Sequence, residues 1–192
     1  EGSASVEVSV EAWPLRLPTD FTIPPEGVHI RHPDWGIDQE RRLLQIRLPA
    51  AAAFIRANGW NRVTQAAPRR RLGLVAAGKS WADLMGALDE LGLDKPALDA
   101  LGISIFKPAV TWPLQPQDTR DFATGHETLL VVEEKRPLIE DQIARILYDQ
   151  PQRPVLLGKR DAAGRVLVPE EGELSVTLLA RLLARMLRDD AP

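Results

Sequence analysis

The chain has 192 residues, 44% of them hydrophobic, with 24 Lys and Arg against 27 Asp and Glu for a formal net charge of -3. That length and hydrophobic share suit one ordinary domain and exclude wholesale disorder, while the near balance of charge excludes a general pull toward nucleic acid or anionic membrane. With no cysteine the chain can hold no disulfide, thiolate metal site or iron–sulfur cluster of its own, and it has no secretory signal or bilayer-length apolar run, so a cytoplasmic protein is expected. It opens on Glu1-Gly2-Ser3 rather than on methionine, as expected of one domain cut from a longer polypeptide.

At the start, Val6, Val8 and Val10 alternate with polar residues, the period of a half-exposed strand. Prolines at 14, 18, 24, 25 and 33 then predict an extended arm, because each fixes φ and removes a donor. We place this arm at 1–37 and the globular domain at 38–192. Asp38 is suited to cap a leading helix over 38–60 whose apolar positions are Leu44, Leu48, Ala51 and Ile55, kinked at Pro49 and closed by Asn58-Gly59.

From Leu72 short apolar runs alternate with helical patterns. The runs are 72–76, 103–106, 128–132 and 155–157, with 165–168 as a fifth. Ser80 and Asp83 have capping-box spacing ahead of a helix with Trp81, Leu84, Met85, Leu88 and Leu91 on one face and Gly92 at its end. A proline-rich turn and a short helix ending near Ala123 precede the third run. Pro137, Glu140 and Asp141 suit the first turn of a helix buried through Ile139, Ile143, Ile146 and Leu147. Ser175 caps a last helix with Leu178, Leu179, Leu182 and Met186. Strands alternating with helices predict a mostly parallel sheet covered on both faces.

Residues 73–80, GLVAAGKS, match the phosphate-loop pattern GxxxxGK[ST], and Glu133-Glu134 after an apolar run imitate its acidic partner. A nucleotide-binding protein is therefore one reading, but a poor one. The residues between the two glycines are themselves the apolar run, so their amides belong to a sheet rather than to phosphate. What remains is Gly78, Lys79 and Ser80 at a strand's carboxyl end, either a tight turn with a cap or an anion site. Glu133, Glu134, Lys135 and Arg136 form a second polar strand end, suited to an ion-pair network or to acid–base chemistry. No nucleophile lies nearby to complete a catalytic set. Arg69, Arg70 and Arg71 read as a solvated loop or a partner contact. Gly125-His126-Glu127 reads as a turn, and His29 and His32 lack a third metal ligand.

Several stretches, RLGLVAAGKSWADL (71–84), LGISIFK (101–107), WPL (112–114) and above all LLVVEEKRPLIEDQIARILY (129–148), resemble the indolepyruvate ferredoxin oxidoreductases, within the thiamine-dependent 2-oxoacid:ferredoxin oxidoreductases. PPEGVHIRHPD (24–34), LGKR (157–160) and GELS (172–175) are similar to the long fused bacterial form. The resemblance implies a three-layer α/β domain like the transketolase C-terminal domain, with a five-stranded sheet, mostly parallel, carrying one antiparallel strand. It implies a parent enzyme that oxidatively decarboxylates aryl 2-oxoacids to acyl-CoA and passes electrons to ferredoxin. That parent would hold thiamine diphosphate, Mg²⁺ and 4Fe-4S clusters in other domains of the same polypeptide, and would be a homodimer. No position of this chain matches the family's catalytic, cofactor or metal motifs, so the segment itself is expected to be inert. Gly78, Lys79 and Ser80, and Glu133 to Arg136, match its two strand-end loops, as packing surfaces or as an anion site for coenzyme A phosphates. Ala76-Ala77, Pro49 and His126 depart from the family's pattern.

Overall fold

The structure is a computed structural model, and it describes residues 14–32 and 34–189. The alternating segment at 6–10 and Pro33 lie outside the described residues. Five strands form one sheet in the order β1-β3-β2-β4-β5. They are β1 (Arg62–Gln65), β2 (Leu72–Ala76), β3 (Ile103–Lys107), β4 (Thr128–Val132) and β5 (Val155–Leu157). β2 pairs in parallel with β3 and β4, β5 joins β4 in parallel, and β1 runs antiparallel along β3. Residues 165–168 are not the fifth strand. Only an isolated bridge joins Val166 to Arg160, and the antiparallel edge is β1, a short polar run whose apolar pattern is too weak to announce it.

Seven helices are described: α1 (Gly36–Arg42), α2 (Leu48–Ala57), α3 (Gly78–Glu90), α4 (Lys95–Leu101), α5 (Pro116–Ala123), α6 (Leu138–Leu147) and α7 (Val176–Asp189). The two-residue period of the strands splits the core into two layers. Leu72, Leu74, Ile103, Ile105 and Leu130 face Leu84 and Leu88 of α3, Leu98 of α4, and Leu179 and Leu183 of α7. Val75, Phe106, Leu129 and Val131 face Phe122 of α5 and Ile139, Ile143 and Leu147 of α6. The crossover from β2 to β3 moves toward one edge, and those from β3 to β4 and from β4 to β5 move toward the other. Keeping each crossover right-handed therefore puts α3 and α4 on one face and α5 and α6 on the opposite one.

Gly73 is needed for this packing. A Cβ there would lie 2.5 Å from Leu129 Cδ2 and 2.9 Å from Phe122 Cε1. The first glycine of the phosphate-loop pattern is therefore a space requirement of the sheet face.

The leading helix departs from expectation. It starts at Gly36 with Trp35 as N-cap, and Asp38 pairs with Arg41 inside the first turn. Pro49 follows a π-helical segment over Leu43–Arg47, since it has no N–H to continue the ladder and the turn before it widens. Ile55 is buried, but Leu44 is exposed, so the expected stripe is only partly inward. Asn58 as C-cap and then Gly59 at φ +58 close the helix as expected. Two clamps hold the arm. Arg42 donates to the carbonyls of Glu26, Gly27 and His29, and the Asn58 amide both accepts from and donates to the backbone of Arg16.

At the amino edge, Arg69 pairs with Glu127 and Arg70 donates to the carbonyls of Asp121 and Thr124. His126 is buried in the turn after α5, its Nδ1 2.7 Å from the Phe122 carbonyl and its ring 4.7 Å from the Phe122 ring. Burial holds its pKa below the ordinary histidine range, against the raising effect of that carbonyl.

Gly73→Ala is expected to cost about 1–3 kcal/mol through overpacking, read as a lower urea midpoint; an unchanged midpoint would contradict the close approach. Because His126 has a depressed folded pKa, the unfolded chain takes up its proton first as pH falls. Stability present above about 6.5 should be lost as the pH drops from there through the folded value. His126→Leu should flatten that decline in denaturation curves between about pH 7.5 and about pH 5.5; equal slopes in both proteins would remove His126 as its cause.

Candidate carboxyl-edge site

β2 and β4 lie side by side, Ala76 opposite Val132, and their chains leave toward opposite faces. This reversal places Gly78–Ser80 next to Glu133–Arg136 in the crevice beyond the strand ends, where ligands bind in many open α/β sheets. A cleft of about 400 Å³ lies there, lined by Ala77, Gly78, Thr111, Glu134 and Arg136 among others.

Each loop is shaped by its own chain. Gly78 adopts φ +56 and turns the strand straight into α3, so Ala77 in extended backbone is the N-cap. The expected Ser80 cap is therefore not made. Ser80 is a buried residue of the first turn, and Asp83 bonds Lys79 instead. Residues 72–75 are paired on both sides and Ala76 with Val132 of β4, so the formal phosphate-loop motif contains no loop between its glycines up to Ala76.

The side chains of the second loop diverge. Glu133 is buried and turns toward α6, where its carboxylate accepts the amides of Leu138 at 3.1 Å, Ile139 at 2.9 Å and Glu140 at 3.0 Å. Three amides and the positive end of the helix dipole compensate one buried negative charge. Pro137 is the N-cap position and offers no side-chain bond, so Glu133 does the capping from five to seven residues upstream. Lys159 approaches the same place from beyond β5: its ammonium donates to the Glu133 carbonyl, and its own amide donates to Glu140 Oε2 at 2.8 Å. Burial raises the Glu140 pKa and lowers that of Lys159.

Glu134 points the other way. It accepts the Leu174 amide at 2.8 Å and Lys79 Nζ at 3.2 Å. Lys79 also pairs with Asp83 at 2.7 Å and Glu173 at 3.2 Å and donates to the Leu174 carbonyl. The hydrogen bond to Asp83, followed by those to Glu173 and Glu134, raises its pKa above the ordinary lysine value. Lys135, at φ +58, bonds the Gly172 carbonyl. Arg136 is exposed, with no hydrogen bond or ion pair from its guanidinium among the described residues.

The structure thus brings together the seven strand-end residues singled out in the sequence, but spends Lys79, Glu133, Glu134 and Lys135 on internal contacts. Sequence reasoning missed Lys159, Glu140 and Leu174 as their partners. Lys159 could have been suspected only from its place at another strand end. The donors do not fit a magnesium diphosphate: both carboxylates are engaged, and no three His, Cys, Asp or Glu among the described residues gather as a metal site. No described helix is long and apolar enough to cross a membrane.

Glu133→Ala should cost about 2–3 kcal/mol, a lost cap plus amides left unpaired, and should speed amide exchange at Leu138, Ile139 and Glu140. Exchange there as slow as in the unaltered chain would show that another group caps α6.

Residues 62–192 match the family model described as the indolepyruvate oxidoreductase domain. The chain is 28% identical over 122 residues to the indolepyruvate oxidoreductase subunit IorA of Thermococcus kodakarensis, covering 64% of this chain and 17% of that one. It is 28% identical over 124 residues to IorA of Methanothermobacter marburgensis, covering 65% and 18%. It thus spans less than a fifth of the length of these curated relatives. In fold it is similar to a 2-oxoglutarate:ferredoxin oxidoreductase from Magnetococcus marinus, with a TM-score of 0.52 at 10% identity over 81% of this chain and 24% of that one. A match over most of the chain, on the sheet and helices that build the paired loops, establishes that this protein belongs to the indolepyruvate oxidoreductase domain family.

Proposed function

We propose that this chain is a structural domain of a thiamine diphosphate-dependent indolepyruvate:ferredoxin oxidoreductase, the parent oxidising aryl 2-oxoacids to acyl-CoA. The globular part, 38–192, packs against the thiamine-binding domains of the same polypeptide through its carboxyl-edge loops and helps hold their orientation in a homodimer. The arm, 1–37, links it to its neighbours. Thiamine diphosphate, Mg²⁺, the 4Fe-4S clusters, and the contacts with ferredoxin and coenzyme A belong, in this reading, to the other domains.

The observation that carries this reading is the internal satisfaction of the loops. Lys79 has three carboxylates around it, and Glu133 caps α6. A charge already held by its own chain is unsuited to proton transfer, and it gives a rigid, shaped surface for a neighbouring domain. The fraction of the relatives' length that the chain spans accords with one domain among several.

A second reading keeps the cleft as an anion site for coenzyme A phosphates. It rests on Arg136, whose guanidinium is uncommitted, beside the first-turn amides of α3 at Gly78. Lys79 and Lys135 serve it less well, being engaged elsewhere.

Calorimetry separates the two. The chain is expected to bind no thiamine diphosphate with Mg²⁺, and micromolar binding would end the structural reading. Heat with coenzyme A that disappears in Lys79→Ala/Arg136→Ala would establish the anion site; no heat in either protein removes it.

A further inference from the structure

The opposite edge of the sheet carries a second concave surface. Helix α7 and the connection over 158–169 flank a cavity of about 720 Å³ at the amino ends of β2 and β4. A trough of about 610 Å³ continues along α7, and Leu167 and Arg185 line both. The floor is apolar, built from Leu72, Leu157, Leu167, Leu182 and Met186. Its walls are basic. Five arginines line the combined groove against two carboxylates, Glu127 and Asp161, in a chain whose net charge is -3.

The carboxylates are already taken, Glu127 by Arg69 and Asp161 by Arg165 together with two amides of its own loop. Arg181 and Arg185 stand one turn apart on α7, exposed, with no ion pair among the described residues. Like charges at that spacing repel each other, so α7 gains nothing internally from the pair. Guanidinium groups beside an apolar floor do, however, match a surface that offers both carboxylates and apolar side chains. Between Leu178 and Met186 the trough runs roughly 12 Å along the helix, the length of about two helical turns or a few extended residues. Being concave rather than flat or convex, it fits a polypeptide segment better than a lipid surface.

We infer that the groove between α7 and the 158–169 connection is a docking surface for an acidic polypeptide segment with apolar anchors. Arg181 and Arg185 take its carboxylates, and Leu167, Leu182 and Met186 seat its apolar side chains. This interface is separate from the carboxyl-edge loops and stands or falls independently of them.

The test is fluorescence anisotropy of the 192-residue chain with a labelled twelve-residue peptide of alternating glutamate and leucine pairs. Saturable binding that weakens with added salt is expected, because exposed charges are screened over roughly 10 Å at 0.1 M. The reversal Arg181→Glu/Arg185→Glu should weaken it about tenfold or more. The matched reversal Arg62→Glu/Arg145→Glu, at the carboxyl end of β3 and on α6 across the sheet, should leave it unchanged, and serine in place of the peptide's leucines should lower affinity. Circular dichroism would check that both double variants are folded. Absence of binding would overturn the proposal, and so would equal loss in the two double variants. Binding to phosphatidylserine vesicles without binding to the peptide would overturn it in favour of a lipid partner.

Discussion

One buried carboxylate holds three elements of this domain in register. Glu133 leaves the end of β4 and takes the first three amides of α6, while its own carbonyl takes the ammonium of Lys159 from beyond β5. Burying one charge in an apolar domain is costly unless it is well bonded, and here three successive amides at the start of α6 bond it. Glu140 extends the joint by accepting the Lys159 amide, and it passes so close to Gly158 that a side chain there would have to displace its carboxylate. The end of one strand, the start of the next helix and the exit from the edge strand are thereby fixed together.

The neighbouring loop follows the same logic at the surface. Lys79 gathers Asp83, Glu134 and Glu173, and Glu134 also takes the Leu174 amide, so the turn into α3 is tied to the segment that leads into α7. These contacts are partly solvated and individually weak. Their effect is geometric: they join a sequence span of almost a hundred residues at one edge of the sheet. A strand-end crevice in this topology would ordinarily be a ligand site. Here its polar groups are largely satisfied from within, which is the ground on which we propose a packing role for it.

The two edges of the sheet therefore differ in kind. At the carboxyl edge, opposite charges sit in contact and cancel. At the amino edge and along α7, arginines outnumber carboxylates around an apolar trough, and two of them have no ion pair among the described residues. The first pattern stiffens a surface; the second leaves attraction available to another chain. An almost neutral composition conceals this division, because net charge sums over faces that only the folded chain separates.

Local patterns alone determined much of the architecture. Runs of β-branched and aliphatic residues at 72–76, 103–106 and 128–132 could be satisfied only as buried central strands, and the stripes at Leu84–Leu88, Ile139–Ile143 and Leu179–Leu182 only as helices covering them, because burial periodicity is a property of neighbouring residues. The polar edge strand at Arg62–Gln65 escaped notice since pairing with β3, not its own pattern, makes it a strand. Glu133 and Glu134 were legible as a polar strand end, but two adjacent carboxylates look alike in sequence. Tertiary structure gave one to a helix terminus and the other to a lysine, and brought Lys159 and Leu174 to meet them. Those partners lie 26 and 40 residues away, and long-range proximity depends on how whole elements pack.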